Sequence, residues 1–353
     1  MRVLVFCERL APPFDEGIKN VAVNLIRELV AAGHSVQGIT VDGAGSSEFP
    51  LLNLDGVNRA LLSRRLSHSI RAFCPDRVCY VPTASMTAAA FWRCRMLRLH
   101  SDGAPVTMFA PQPRNLAWWG NIISTLCRPD LVLAFSSSTA ALLSHVGARV
   151  ARAGVGVDAR RFSPLDRQRR ERLRAELGIP ADCRVALHVG HLHRNRNLEP
   201  LKALRELEGI QALLVASSVK SDSELANELL KSGVRIMRGG APPIELIYGL
   251  SDLYLFTCPA TSVPERSPAI DLPLSVFEAM ACDLPVVTSR FGGLPDLFAD
   301  APGFRYVRNP LDNEEWKEKV SGALREPPGA NRQKALSYTW GALATRALGA
   351  CNG

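Results

Sequence analysis

The chain has 353 residues, of which 47% are apolar and 22% charged, with a net charge of +8. That length favours two domains, the composition excludes a disordered chain, and no apolar run is long enough to span a membrane. The nine cysteines are scattered without a Cys-x-x-Cys pair, which argues against a zinc site or a disulfide framework and for a reducing cytoplasm.

Met1 to Cys7 is too short for a signal peptide and reads as a first strand, over Val3 to Phe6. Pro12-Pro13 and Gly17 mark a loop, and Val23, Ile26 and Val30 give a helical period from Lys19 to Ala32, closed by Gly33. Strands are expected at Ser35 to Thr40, Val78 to Val81, Val106 to Phe109 and Leu131 to Phe135. A Gly- and Arg-rich connection spans 149–166, followed by a charged helix from Asp166 to Leu177. A second alternating set then places strands at Val185 to Val189, Ala212 to Val215, Val234 to Met237, Leu253 to Phe256 and Val286 to Thr288. Strand and helix alternate throughout, so the expected class is α/β, with two Rossmann-like parallel-sheet domains facing a cleft. Gly154 to Ala159 fits G-x-G-x-x-A but lies far from the first strand-to-helix turn, so a dinucleotide reading is weak.

Residues 264–296 carry the densest signal. Ser275 followed by Glu278 has the spacing of a capping box, which puts Glu278 in the first turn of a helix. Pro285-Val286-Val287-Thr288 is a buried strand, Gly292-Gly293 ends it, and Pro295 with Asp296 opens another helix. Glycine turns and helix N-termini beside one carboxylate suit a nucleotide-linked phosphate.

Glu278-Ala279-Met280-Ala281 and Pro285-Val286-Val287 resemble the second half of the signature of family 4 glycosyltransferases, retaining sugar-nucleotide enzymes of the GT-B fold. The resemblance extends to the opening loop around Gly17, to GVDARRFSP at 156–164, to HVGHLHRNRNL at 188–198 and to Tyr338-Thr339-Trp340. It implies an acceptor domain over 1–165, a nucleotide-sugar domain over 166–333, and a helix over 334–353 that crosses back to the first domain. It implies that Glu278 holds the donor ribose. It also implies that Gly17, Gly190, His191, Arg194, Arg196, Gly292 and Gly293 line the donor, with Arg196 stabilising the departing diphosphate.

The first half of the signature departs. Ile270 stands eight residues before Glu278, where the family has a second Glu near the sugar, and the adjacent Asp271 is expected to assume part of that role. Glu265 is a weaker substitute. Where the family often carries a histidine near the reacting sugar, this chain has Gln112 and Arg114, expected to meet the acceptor. Read without the family, the loop holding His191, Arg194 and Arg196 fits a solvated basic turn better than a site, and Glu278 fits a helix cap.

The resemblance implies a retaining transferase that moves a sugar from a nucleotide-sugar donor to a glycan or lipid-linked acceptor, without a metal or other cofactor. The departures keep open a non-catalytic relative that binds sugar nucleotides or glycans. An epimerase on the same fold would need more acid and base groups than Asp271 alone.

Residues 1–165 hold 18 Lys and Arg against 11 Asp and Glu, so the first half carries +7 of the charge. No nucleic-acid motif accompanies it. Arg64, Arg65 and Arg71, the segment Phe91-Trp92-Arg93-Cys94-Arg95, and Trp118-Trp119 mix basic and aromatic residues, as an anionic membrane surface selects. Taken singly, each segment also fits an ordinary solvated helix. Together they predict a cytoplasmic protein, peripheral on the inner face of the membrane.

Overall fold

The computed structural model describes residues 1–14, 16–116, 118–217, 222–238, 242–260, 267, 269–326 and 330–349. The chain divides into two compact units. Unit 1 comprises Met1–Gly156, Ser262–Leu272 and Thr339–Gly353, and unit 2 comprises Val157–Thr261 and Pro273–Tyr338.

Unit 1 is built on β1 (Arg2–Phe6), β2 (Ser35–Thr40), β3 (Leu51–Asn53), β4 (Arg77–Tyr80), β5 (Val106–Ala110), β6 (Leu131–Ala134) and β7 (Arg149–Arg152). They form one sheet in the order β3-β2-β1-β4-β5-β6-β7, parallel at every pairing. Its helices are α1 (Gly17–Ala31), α2 (Arg64–Phe73), α3 (Ala88–His100), α4 (Trp118–Leu126) and α5 (Ser137–Leu143). Ser63, Thr87 and Ser136 cap α2, α3 and α5 by accepting a backbone N–H three residues on. Leu4, Phe6, Val78, Tyr80 and Val132 of the sheet pack with Leu66 and Ile70 of α2 and Phe91 and Leu97 of α3.

Unit 2 runs through α6 (Arg167–Glu176), β8 (Arg184–Gly190), α7 (Glu199–Ala203), β9 (Ile210–Ala216), α8 (Ser223–Lys231), β10 (Arg235–Met237), α9 (Ile244–Leu250) and β11 (Leu253–Phe256). It continues with α10 (Leu274–Ala281), β12 (Val286–Ser289), α11 (Leu294–Leu297), β13 (Phe304–Val307), α12 (Asn313–Arg325) and α13 (Asn331–Ala335). The sheet order is β10-β9-β8-β11-β12-β13, again wholly parallel. Leu214, Leu255 and Val287 pack with Leu201, Leu225, Trp316 and Val320. The last helix, α14 (Trp340–Ala347), belongs to unit 1 and packs on α1.

The central strands were legible because a parallel sheet buries both faces and demands an unbroken apolar run. The three strands without an expectation, β3, β7 and β13, are edge strands. β7 reads Arg-Val-Ala-Arg and is only partly buried, so its sequence carries no such run.

The division between units falls at Gly156, ahead of the expected 165, because residues after it are tied into unit 2. Val157 N donates to Tyr338 O at 3.1 Å, and the Phe162 ring meets Tyr248 edge-on at 5.7 Å. On the other side of the boundary, a Cβ at Gly156 would stand 2.4 Å from the Trp340 backbone, so only glycine fits beneath α14. The segment ending at Leu272, expected in the second domain, belongs to unit 1.

A buried charge cluster ties α6 to the amino ends of β8 and β11. Asp252 receives Arg170 at 2.8 Å, Arg174 at 3.0 Å, Arg184 at 3.0 Å and the Val185 amide at 2.8 Å. Burial pushes its pKa up, but the Val185 amide and the arginines outweigh this and hold it below the ordinary carboxylate value. Asp252→Ala would leave the buried Arg174 guanidinium short of its counter-charge, at about 3–5 kcal/mol. Urea denaturation at neutral pH should show that loss. In the wild type, the contribution is present at neutral pH and disappears as pH falls through the depressed pKa.

Candidate functional site

The strand order of unit 2 reverses direction between β8 and β11, and crevices for ligands form at the carboxyl ends of strands at such a switch point. β8 ends in Gly190, and the turn after it carries His191, a short 3-10 helix over Arg194–Arg196, and Asn197. β11 leads to Thr257 and Cys258, whose carbonyl accepts the Ser289 hydroxyl from the end of β12.

Arg196 is 9% exposed. Its backbone carbonyl accepts the Thr257 hydroxyl at 2.8 Å, which fixes the turn. Among the described residues its guanidinium reaches only the Cys258 sulfur, at 3.5 Å, and its Nε has no partner. No carboxylate among the described residues pairs with it. Buried arginines are ordinarily paired, because an uncompensated buried charge costs several kcal/mol.

His188 lies inside the same strand end, fully buried. Its Nδ1 donates to Leu255 O at 2.9 Å, and Nε2 has no partner. Burial, with Arg196 adding to it, lowers its pKa to about 4 against the pull of the Leu255 carbonyl, so the ring is neutral at physiological pH. A Cβ at Gly190 would stand 3.1 Å from that Nε2. Glycine at 190 therefore accommodates His188, a reason the sequence reading did not contain.

The other two cations of the loop are occupied. His191 Nδ1 is hydrogen-bonded to the Ser217 hydroxyl. Arg194 is half exposed and faces Asp222 at 3.5 Å, Glu224 at 3.4 Å and Glu228 at 2.6 Å on and before α8. The Arg194 and Lys202 partners draw the Glu228 pKa down to about 2. The loop is thus neither uniformly solvated nor uniformly free for a ligand.

Glu278 does not sit in a capping box. α10 begins at Leu274, with Pro273 as an N-cap that offers no side-chain bond. Ser275 is therefore already helical. Glu278 lies in the second turn, half-buried, and accepts the Tyr248 hydroxyl at 2.9 Å. Burial pushes its pKa up to about 7, opposed by the Tyr248 bond and by Arg161. After β12, Gly292 takes φ +52° and Gly293 caps the four-residue α11, so the expected glycine turn and helix start are both present.

In unit 1, Gly17 begins α1, and Ile270 packs so closely on it that a Cβ there would stand 2.9 Å from the Ile270 side chain. Gln112 follows β5 and donates from Nε2 to Ala269 O at 3.1 Å, while Asp271 N donates to Pro111 O at 2.7 Å. Arg114, two residues on, has a buried Nε without a partner.

The placement of Asp271 differs from the expectation that it faces a sugar. It is 1% exposed, and its Oδ2 accepts the Ser136 hydroxyl at 2.5 Å and the Thr139 hydroxyl at 2.6 Å, at the start of α5. The one-residue displacement from 270 to 271 thus places Ile270 against Gly17 and the carboxylate against the start of α5. Glu265 lies outside the described residues. Arg64, Arg65 and Arg71 of α2 are exposed, and Arg71 pairs with Asp102 at 3.2 Å.

Two buried groups were missed in the sequence. His188 hides in the apolar run of β8. Glu8, just after β1, accepts Tyr80, Arg93 at 2.8 Å and the Thr83 amide at 2.9 Å. The signal for each was a lone polar residue at a strand's carboxyl end.

Two parallel Rossmann-like sheets with a ligand-ready switch point in the second define the GT-B class of proteins. Residues 169–340 match the family described as Glycosyl transferases group 1, and the fold of the two units is that of the GT-B glycosyltransferases. It is 29% identical to the sulfoquinovosyl transferase SQD2 of Arabidopsis thaliana over 98% of this chain and 72% of that protein. It is 34% identical to a D-inositol 3-phosphate glycosyltransferase of Corynebacterium jeikeium over 47% of this chain and 39% of that protein. In structure it is similar to Anabaena Alr3699/HepE, solved in complex with UDP and glucose, with a TM-score of 0.71, 15% identity, and coverage of 97% of this chain and 94% of that one.

The raised pKa of Glu278 has a consequence for stability. The folded state keeps the proton that the unfolded chain releases near the ordinary value of 4.5, so stability falls as pH rises from there to about 7. Glu278→Gln should flatten that part of the profile, as measured by melting temperature against pH. A variant as pH-sensitive as the wild type in this window would mean that Glu278 is solvated.

Proposed function

We propose that this chain transfers a sugar, with retention, from a nucleotide-sugar donor to a glycan or lipid-linked acceptor. The observation that carries the reading is Arg196, a buried guanidinium without a counter-charge among the described residues, at the switch point of unit 2. A diphosphate supplies the missing anion, and its charge grows as the sugar departs, so Arg196 stabilises the transition state more than the ground state. The fork of N–H groups suits phosphate oxygens. Gly190, His191 and the Gly292-Gly293 turn flank the anion, and Glu278 accepts from the ribose. Arg194, held by three carboxylates, is secondary. UDP is the first nucleotide to try, since HepE was solved with it.

On the acceptor side the reading assigns Gln112 and Arg114, and no metal is assigned. Ile270 at the family's acidic position favours a second reading, a protein that binds nucleotide sugars without transferring them. Hydrolysis of the donor without acceptor separates the two, since a pure binder leaves the donor intact.

Arg196→Ala should weaken nucleotide diphosphate binding by about 1.5–3 kcal/mol, read by calorimetry, and lower turnover further. It should leave thermal stability equal or higher, because it removes an uncompensated buried charge. Unchanged affinity would overturn the assignment. Glu278 binds ribose hydroxyls best when ionised, so affinity should rise between about pH 6 and pH 8 and stay flat in Glu278→Gln.

Asp271→Asn distinguishes position from chemistry. If Asp271 contributes to sugar transfer, turnover falls while nucleotide affinity and melting temperature hold. A matched loss of stability and turnover would assign it to anchoring Ser136 and Thr139.

A further inference from the structure

α4 is inside out. Its inward face is mostly small, with Gly120 and Ser124 buried, Ile123 partly buried against the core and Cys127 just beyond it. Its outward face carries Trp118 at 76% exposure, Trp119 at 52%, Ile122 at 51% and Leu126 at 73%. At 100° per residue these four fall within roughly a third of the helix circumference, opposite Gly120 and Ser124. A helix on the surface of a soluble protein ordinarily shows the reverse arrangement. Elsewhere the exposed large apolar residues, such as Leu230 and Leu311 in unit 2, stand singly, which is normal.

The neighbourhood is predominantly basic: its carboxylates Asp102, after α3, and Asp130, after α4, are each paired with an arginine, Arg71 and Arg98. α3 packs against both α2 and α4. No Asp or Glu occurs in α2, α3 or α4. Arg64 and Arg65 at the start of α2, Arg95 on α3 and Arg128 after α4 are exposed, and no carboxylate among the described residues pairs with them. Arg95 lies near the end of α4, where it opposes the upward shift that burial gives the Cys127 thiol. The outer stripe of α3 continues the same chemistry as Trp92, Arg95 and Leu99, and Trp92 Nε1 donates to Ala60 O at 3.0 Å near the start of α2.

We propose that α4 is an interfacial helix that lays Trp118, Trp119, Ile122 and Leu126 into an anionic lipid bilayer, with Arg64, Arg65, Arg95 and Arg128 on the headgroups. The charge decides among occupants. A second copy would bring a like-charged face against this one, whereas acidic headgroups complement it. Tryptophan is suited to the interface because its ring is apolar and its N–H remains among headgroups. No helix among the described residues is long and apolar enough to cross a membrane, so the contact is lateral. The inference supplies the means by which a lipid-linked acceptor would be met, but it does not depend on the donor site.

The test uses the full chain, without donor or acceptor, and vesicles of phosphatidylcholine alone or mixed with phosphatidylglycerol. The wild type should co-sediment with the mixed vesicles and not with the neutral ones, and binding should weaken as salt rises. Tryptophan emission should shift to the blue on binding and be quenched by brominated lipid. W118S/W119S should weaken partitioning at least about tenfold and reduce the quenching. I122S/L126S should act in the same direction, which covers the case where one variant folds poorly. L311S in unit 2 is the control and should bind like the wild type.

Wild-type levels of vesicle binding in both α4 variants would overturn the proposal, as would no binding of the wild type at low salt. So would sedimentation velocity showing a wild-type dimer that both α4 variants dissolve, since the face would then be covered by a second copy. An intact donor in the separate hydrolysis assay, with vesicle binding present, would count against the transferase reading alone.

Discussion

Every strand of each sheet runs the same way, so the two ends of a sheet differ chemically. Helices cover both faces, and polar chemistry is confined to the strand ends. In unit 2 the amino end is neutralised. Asp252 sits between the starts of β8 and β11, bound to both and to three arginines. The carboxyl end of the same two strands carries Arg196 with no carboxylate and His188 with an unpartnered nitrogen. One end is built to hold the sheet together, and the other leaves electrostatic demand unmet, as ligand sites do.

The contrast between Arg194 and Arg196 follows from geometry two residues apart. Arg194 turns outward to the acids at the start of α8. Arg196 turns inward, fixed by Thr257 and Cys258 after β11. Their charges are equal, but the first is largely cancelled and screened by water while the second acts at low dielectric. A charge census of the loop would rank them alike. Burial and counter-charge separate them.

That difference marks how far the sequence was legible. Central strands were readable because their apolar runs are forced by burial on both faces, and α6 was readable as a charged helix, whose start the structure shows capped by Asp166. Edge strands such as Arg149–Arg152 were not, because one open side removes the apolar requirement. Ser275 and Glu278 had the spacing of a cap, but Pro273 starts the helix early and moves the carboxylate to Tyr248. Spacing along the chain cannot report where a helix begins to within a residue, and at Glu278 that residue decides its neighbours. The inverted face of α4 was half visible: Trp118-Trp119 stood out, but only the fold shows that Gly120 and Ser124 are the residues turned inward.

The same one-residue sensitivity governs Ile270 and Asp271. A carboxylate displaced by one position does not reach the same neighbours from a new angle: Ile270 meets Gly17, whereas Asp271 meets Ser136 and Thr139. Asp271 is fully engaged by two hydroxyls, and its removal would leave Ser136 without the acceptor that orients it beside the amide it caps, Thr139 N at 3.1 Å. Position 270 meets the first residue of α1, where unpaired helix amides favour negative charge. Isoleucine there forgoes that electrostatic gain and supplies only apolar contact with Gly17. An acid at 270 would be electrostatically welcome, so its absence is not imposed by the environment of α1. The acid in this segment serves the anchoring of α5, and any discrimination among sugars has to come from groups other than a carboxylate at 270.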